Sequence, residues 1–198
     1  MSDDSRKIRF GLWYDFRNPA QWRQPADRLY REILDQIAWG ENNGFDDVWL
    51  SEHHFIEDGY LPSILPVAAA IAARTNRIRI VSGVLLVPFH NPVRLAEDIA
   101  TVDVISGGRF ELGAGVGFKR EEFEGFSLAR RGLSTGGRWL RTVGPAYRMR
   151  RSLSRKGEVP KRSSLAIAVY AFATIPDQRR SLHTRAFCVK DRSRSGGR

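Results

Sequence analysis

A chain of 198 residues can make one good domain or two small ones, and its single cysteine, Cys188, excludes an internal disulfide framework and any cysteine-based metal site. The polar first residues do not read as a signal peptide, and the longest apolar run, residues 65–73, is too short to span a bilayer, so a cytoplasmic setting is expected. The net charge of +10 conceals two unlike parts: residues 1–126 carry 14 Lys and Arg against 19 Asp and Glu, an ordinary balance for an enzyme, whereas residues 127–198 carry 18 against 3.

Residues 8–14 are β-branched and aromatic and predict a first strand. A Pro- and Asn-containing loop follows. Leu29, Ile33, Leu34, Ile37 and Ala38 recur at a helical period, predicting a helix over 26–43 with Gly44 just past its end. Residues 46–51 are a second strand, and Glu57-Asp58-Gly59-Tyr60 a turn. The alanine-rich stretch 62–74 reads as a buried helix. Residues 78–87 form one continuous β-branched apolar run, as in a strand buried on both faces. A loop with His90 leads to a third helix over 93–105, with Pro92 at or near its first position. After Ser106-Gly107-Gly108, residues 109–115 predict a fourth strand, and glycines alternate at Gly113, Gly115 and Gly117. The succession is a βα repeat, hence a parallel sheet with right-handed crossovers, either open and doubly wound or closed as a barrel.

Chemistry concentrates at the end of the second strand, in Val48-Trp49-Leu50-Ser51-Glu52-His53-His54-Phe55. A parallel α/β architecture builds its site at this carboxyl edge. Strand alternation puts Trp49, Ser51 and His53 on one face and Leu50, Glu52 and His54 on the other, so the two histidines do not enter one pocket together. A hydrogen-bonded histidine pair in a loop is the plainer alternative. Ser51-Glu52-His53-His54 lacks the spacing of a helical zinc site, and no metal is expected. Gly113-Ala114-Gly115-Val116-Gly117 is not a dinucleotide fingerprint, because Phe118 stands where a third glycine is needed. His90 reads as a loop cap, and Trp13, Trp49 and Phe110 read as core aromatics before cofactor stackers.

Three stretches carry a resemblance. Residues 44–55, the run Asn91-Pro92-Val93-Arg94-Leu95-Ala96-Glu97-Asp98, and residues 103–113 together resemble the amino-terminal half of the bacterial luciferase-like superfamily of flavin-dependent oxidoreductases. The resemblance implies a (β/α)8 TIM-barrel fold, of which residues 1–126 hold the first four βα units. It implies a reduced flavin at the carboxyl ends of the strands: FMN supplied by a reductase, or the deazaflavin F420. FMN members add dioxygen to a small organic substrate as monooxygenases; F420 members transfer hydride as dehydrogenases. The Glu-His-His-Phe form is more like the FMN branch. By the same resemblance His53 is the catalytic acid/base residue and Glu52 lies near the cofactor. Gly83-Val84 matches a cis peptide packed against the flavin ring, and Gly115 and Val116 line its phosphate side. The family also implies a homo-oligomer and no membrane. Histidine suits proton movement near neutral pH, and glycines let backbone approach a flat ring or a phosphate.

The resemblance stops in residues 127–198, which are rich in Arg, Ser and Gly and show no βα repeat; only 165–175 could make a buried strand or helix. Two readings compete. One is a basic arm for nucleic acid on a degenerate barrel fragment, disfavoured because no aromatics are interleaved with the charges. The other, preferred, is a segment translated out of frame or left disordered, which would leave a half barrel inactive as written.

Overall fold

In the computed structural model of the chain, residues 9–128 and 168–169 are described. Their elements run β1 (Gly11–Tyr14), α1 (Ala26–Asn42), β2 (Asp47–Leu50), α2 (Ile64–Arg74), β3 (Arg79–Ser82), β4 (Leu85–Leu86), α3 (Pro92–Ile105), β5 (Phe110–Glu111), β6 (Gly113–Gly115), α4 (Arg120–Gly125) and β7 (Ala168–Val169). All pairings are parallel, in the orders β1-β2-β3-β5 and β4-β6-β7. This is the anticipated βα array. The short strand β7 falls inside residues 165–175. The remaining expectations for the basic segment lie outside the described residues.

The helices form where the sequence punctuates them. Gly44, at φ +87°, ends α1: its N–H donates to the Glu41 carbonyl at 3.4 Å and the Phe45 N–H to the Gly40 carbonyl at 3.1 Å, the paired bonds of a Schellman motif. Asn91 caps α3, accepting from the N–H groups of Val93 and Arg94, with Pro92 in the first turn. The helices α1, α2 and α3 pack against one face of the sheet. Ile33 and Ile37 of α1, Ile64 and Ile71 of α2, and Leu95 and Ile99 of α3 meet Val48, Leu50, Ile80, Phe110 and Leu112 in one core. The opposite face of the strands carries Trp13, Trp49 and Val81 in register.

Two sequence expectations need correction. The run 78–87 is not one strand, and neither is 109–115; each is broken, at Gly83-Val84 and at Leu112. The Gly83-Val84 peptide is cis, as the resemblance implies, and the ladder cannot continue through it. The Ser82 hydroxyl fills the gap, donating to the Gly113 carbonyl at 3.0 Å and accepting the Gly113 N–H at 2.9 Å. Across this bridge the register slips by one residue. Apolar periodicity is blind to such a break, because both sides of it remain buried.

Two charged side chains, the buried Glu41 and the half-buried Arg109, tie the helix ends to the sheet. The Glu41 carboxylate accepts the N–H groups of Asn76, Arg77 and Ile78 at 2.8–3.0 Å, at the entry to β3. Burial alone would raise its pKa, but the three backbone donors, with Arg109 nearby, hold it below the usual carboxylate range. The Arg109 guanidinium donates to the carbonyls of Ala72, Thr75, Ile78 and Ser106 and to the Thr75 hydroxyl. It thereby closes the carboxyl end of α2, whose last carbonyls have no partner within the helix. Arg109→Ala strands those carbonyls and should lower stability by about 2–4 kcal/mol, read as an earlier urea midpoint by far-UV circular dichroism. Arg109→Lys, with three donors and no fork, should recover only part of the loss.

Candidate functional site

The carboxyl edge of the sheet gathers the loop after β2, the broken segment after β3, and the loop and helix after β6. Each predicted site residue lies on one of these.

β2 ends at Leu50, so His53 and His54 lie in the loop beyond it, and there they take different partners. His53 Nδ1 lies 2.8 Å from Glu122 Oε1, and His54 Nε2 lies 2.8 Å from Glu52 Oε1. Both carboxylates are about 1% exposed in their side chains. Each ring therefore has its own buried acidic partner, and the hydrogen-bonded pair considered as the plainer alternative is also present, on two separate partners. Glu122 Oε1 additionally accepts the His54 backbone N–H at 3.0 Å. Phe55, at φ +56°, lays its ring against Gly125, where a Cβ would collide with it. Helix α4 thus docks on the histidine loop through one carboxylate and one glycine.

The His53 ring meets Tyr60 edge-on at 4.8 Å and Phe118 at 5.9 Å. The Tyr60 hydroxyl is 2.7 Å from Ser51 Oγ, which also accepts Trp13 Nε1–H at 3.2 Å. Burial pushes the Tyr60 hydroxyl upward from its ordinary pKa. Tyr60 therefore stays neutral near pH 7 and can offer a proton or a hydrogen bond. His53 Nε2 has no hydrogen-bond partner among the described residues, and the side chain is 21% exposed.

Glu52 is buried and held by groups of three neighbouring segments. Beyond His54, its Oε2 accepts the Leu86 N–H at 3.2 Å, and His90 Nε2 stands 3.7 Å from Oε1. His90 thus feels the charge without a hydrogen bond, and its buried Nε2 is unsatisfied. The carboxylate fastens β4 and the His90 loop to the end of β2. Burial would raise the Glu52 pKa; the bonds from His54 and Leu86 and the proximity of His90 outweigh it, and the net direction is down.

Gly83 and Val84 are half-buried and stand at the break in the ladder. A Cβ on Gly83 would come within 2.7 Å of the Trp49 ring, and one on Gly115 within 2.5 Å of Val84 Cγ2. Glycine at both positions lets the Gly83-Val84 peptide lie against Trp49 on one side and β6 on the other. Trp49 in turn stacks parallel on Trp13 at 6.1 Å. Trp13 is 53% exposed, so it is a platform residue and not core; of the three aromatics read as core, only Phe110 is fully buried. Val116, half-buried, follows directly on β6. Trp13, Trp49 and the Gly83-Val84 peptide are thus neighbours on the face of the strands away from the helices.

The sequence reading missed Glu122. Its only local signal is the acidic pair Glu121-Glu122 in a short helix soon after the glycine run, which looks like a solvated face. Its burial becomes visible only when residues 69 positions apart in the chain are brought together.

The family profile described as Luciferase-like monooxygenase matches residues 8–143. The chain belongs to this family. It is 37% identical over 119 residues to the alkanal monooxygenase alpha chain of Photorhabdus laumondii, covering 60% of this chain and 33% of that protein. It is 28% identical over 141 residues to the oxygenase component of the flavin-dependent trigonelline monooxygenase of Acinetobacter baylyi, covering 71% and 39%. The crystal structure of the monooxygenase RslO1 from Streptomyces bottropensis superposes with a TM-score of 0.61 at 32% identity, over 71% of this chain and 42% of that one. The parallel βα array is therefore the early part of a luciferase-like TIM barrel. The family match continues past Phe126, and the chain spans about a third to two fifths of the length of these relatives.

A prediction follows from Glu52. Its pKa in the fold is depressed, so the stabilisation is fully present above the unfolded carboxylate range and is lost as pH falls through the folded value. Glu52→Gln should cost about 1–3 kcal/mol at pH 7 and make the fall in stability below about pH 5 shallower than in wild type. Urea titrations at a series of pH values measure both; parallel curves for the two proteins would count against the network.

Proposed function

We propose that these residues form one flank of the active site of a flavin-dependent monooxygenase that uses reduced FMN and dioxygen on a small organic substrate. The observation that supports it most is the meeting, at one sheet edge, of the half-exposed glycine-bearing break at Gly83-Val84 with a histidine whose Nε2 has no hydrogen-bond partner among the described residues. A reduced flavin, when bound, supplies the electrons that activate dioxygen.

The roles of the chain's own side chains follow. Gly83, Val84 and the Trp13–Trp49 stack hold the ring plane. Gly115 and Val116 lead the backbone along the phosphate side. His53 is the catalytic residue, moving a proton at Nε2 close to the reacting atoms. Tyr60 and Phe118 wall the ring of His53 and limit water. Glu52 acts through the fold, by fixing His54, Leu86 and the His90 loop. A flavin reductase is the partner that such an oxygenase component would draw on; one relative is itself named an oxygenase component. We place the activity in the cytoplasm; among the described residues no helix is long and apolar enough to cross a membrane. F420-dependent hydride transfer on the same platform is the alternative, and the monooxygenase relatives favour FMN over it. The nucleic-acid reading concerns residues outside the described set.

Because the chain spans a minority of its relatives' length, the activity is proposed of a completed barrel. A fusion of residues 1–126 to the carboxyl-terminal half of a family barrel should bind FMN saturably at micromolar concentration, by quenching of flavin fluorescence. In that fusion His53→Ala should leave FMN affinity within a few-fold and cut turnover by about 10²–10⁴-fold, the ordinary worth of a positioned acid or base. Equal turnover in the two proteins would remove His53 from the chemistry. His54→Ala should instead lower thermal stability with turnover largely kept. The 198-residue chain alone should bind no stoichiometric FMN.

A further inference from the structure

We propose that Glu122 is a positioning residue that holds His53 as the Nδ1–H tautomer, so that Nε2 is the nitrogen left to accept a proton in the site. The inference rests on the reading of His53 as the acid/base group, but its test needs neither flavin nor turnover.

The geometry assigns the tautomer. Nδ1 of His53 and the backbone N–H of His54 converge on one oxygen, Glu122 Oε1, at 2.8 and 3.0 Å. The backbone group can only donate, so Oε1 is already an acceptor. An oxygen accepting one N–H is placed to accept a second, which puts a proton on Nδ1. The carboxylate belongs to a residue with no exposure, and its other oxygen, Oε2, has no partner among the described residues. A buried carboxylate held this way favours donors around it, and the nearest one able to adapt is the imidazole. The proton on Nδ1 leaves the lone pair on Nε2, the nitrogen without a hydrogen bond.

When Nε2 takes a proton, the ring becomes a cation beside a carboxylate 2.8 Å away, and the charge formed is compensated at once. No bond to Glu122 need form or break in that step. His54 provides a contrast within the same loop. Its Nε2 is the nitrogen bound to Glu52 Oε1, so its proton belongs on Nε2. Adjacent histidines are thus held in opposite tautomers by two buried carboxylates from different elements, and only His53 keeps Nε2 free.

The test is a long-range proton–nitrogen correlation spectrum of the full chain labelled with nitrogen-15 histidine. The chain has four histidines, so single His53→Gln and His54→Gln variants assign the two signals. At a pH where the rings are neutral, His53 should show a pyrrole-type shift at Nδ1 and a pyridine-type shift at Nε2, and His54 the reverse. Glu122→Ala should move His53 toward the Nε2–H form that an unconstrained imidazole favours, with the His54 pattern unchanged and far-UV circular dichroism retained. Two results overturn the proposal: His53 as the Nε2–H tautomer in the wild-type chain, or a His53 pattern that Glu122→Ala leaves unchanged. If Glu122→Ala does not fold, the wild-type spectrum decides alone. Failure of the fusion protein to bind FMN would count against the flavin reading and leave this tautomer measurement standing.

Discussion

Three buried carboxylates and the half-buried Arg109 hold the junctions of this βα array together by satisfying backbone groups that neither helix nor sheet can reach. Glu41 takes the N–H groups leading into β3, and Arg109 takes the carbonyls leaving α2. Glu52 takes the N–H of Leu86, and Glu122 that of His54. The constraint is general: a loop pressed against a sheet buries polar backbone, and an unpaired N–H or C=O there costs about as much as a lost hydrogen bond. Apolar packing on the helical face sets where the elements lie. These four charges set how the chain passes between them, and therefore which side chains reach the carboxyl edge.

The same constraint connects stability to chemistry at two of the four. Glu41 and Arg109 serve the fold, remote from the edge. Glu52 and Glu122 each satisfy a backbone group and bind a histidine ring with the same carboxylate. Removing either would loosen a loop and release an imidazole together. A drop in activity on changing one of them therefore cannot be read as a chemical role without a measurement of ring state or of folding beside it.

The repeat of strands and helices was legible because apolar periodicity and punctuation are local: Gly44 and Asn91-Pro92 act within a turn of where they stand. The separation of His53 from His54 does not follow from strand alternation, because β2 ends at Leu50 and both histidines lie in the loop beyond it. The cis peptide came from the family pattern, since nothing in Gly83-Val84 by itself distinguishes it from any buried strand pair. What escaped is what depends on distant residues. Glu41 and Glu122 look like solvated helix positions until the elements 35 and 69 residues away are in place. The strand breaks escaped for a related reason. Ser82 hides in an apolar run, and its hydroxyl matters only through Gly113, which lies on the neighbouring strand.

The side of the strands opposite the helices changes character from one end to the other. At the amino ends Arg79 bridges Asp47 and Glu111, with contacts of 2.5 and 2.6 Å. Burial would weaken the charge on Arg79, but its two carboxylates hold the guanidinium pKa above its ordinary value. That layer is occupied by a paired ionic cluster. One layer up, Trp13 and Trp49 stack and fill the width of two strands. At the carboxyl ends the side chains shrink to Ser51, Gly83, Gly113 and Gly115, and the surface drops to backbone. Along the strands this face thus passes from an ion cluster through aromatic rings to bare peptide. Two of the protein's groups reach up to that level from the β2 loop, His53 and Tyr60, and their rings meet edge-on.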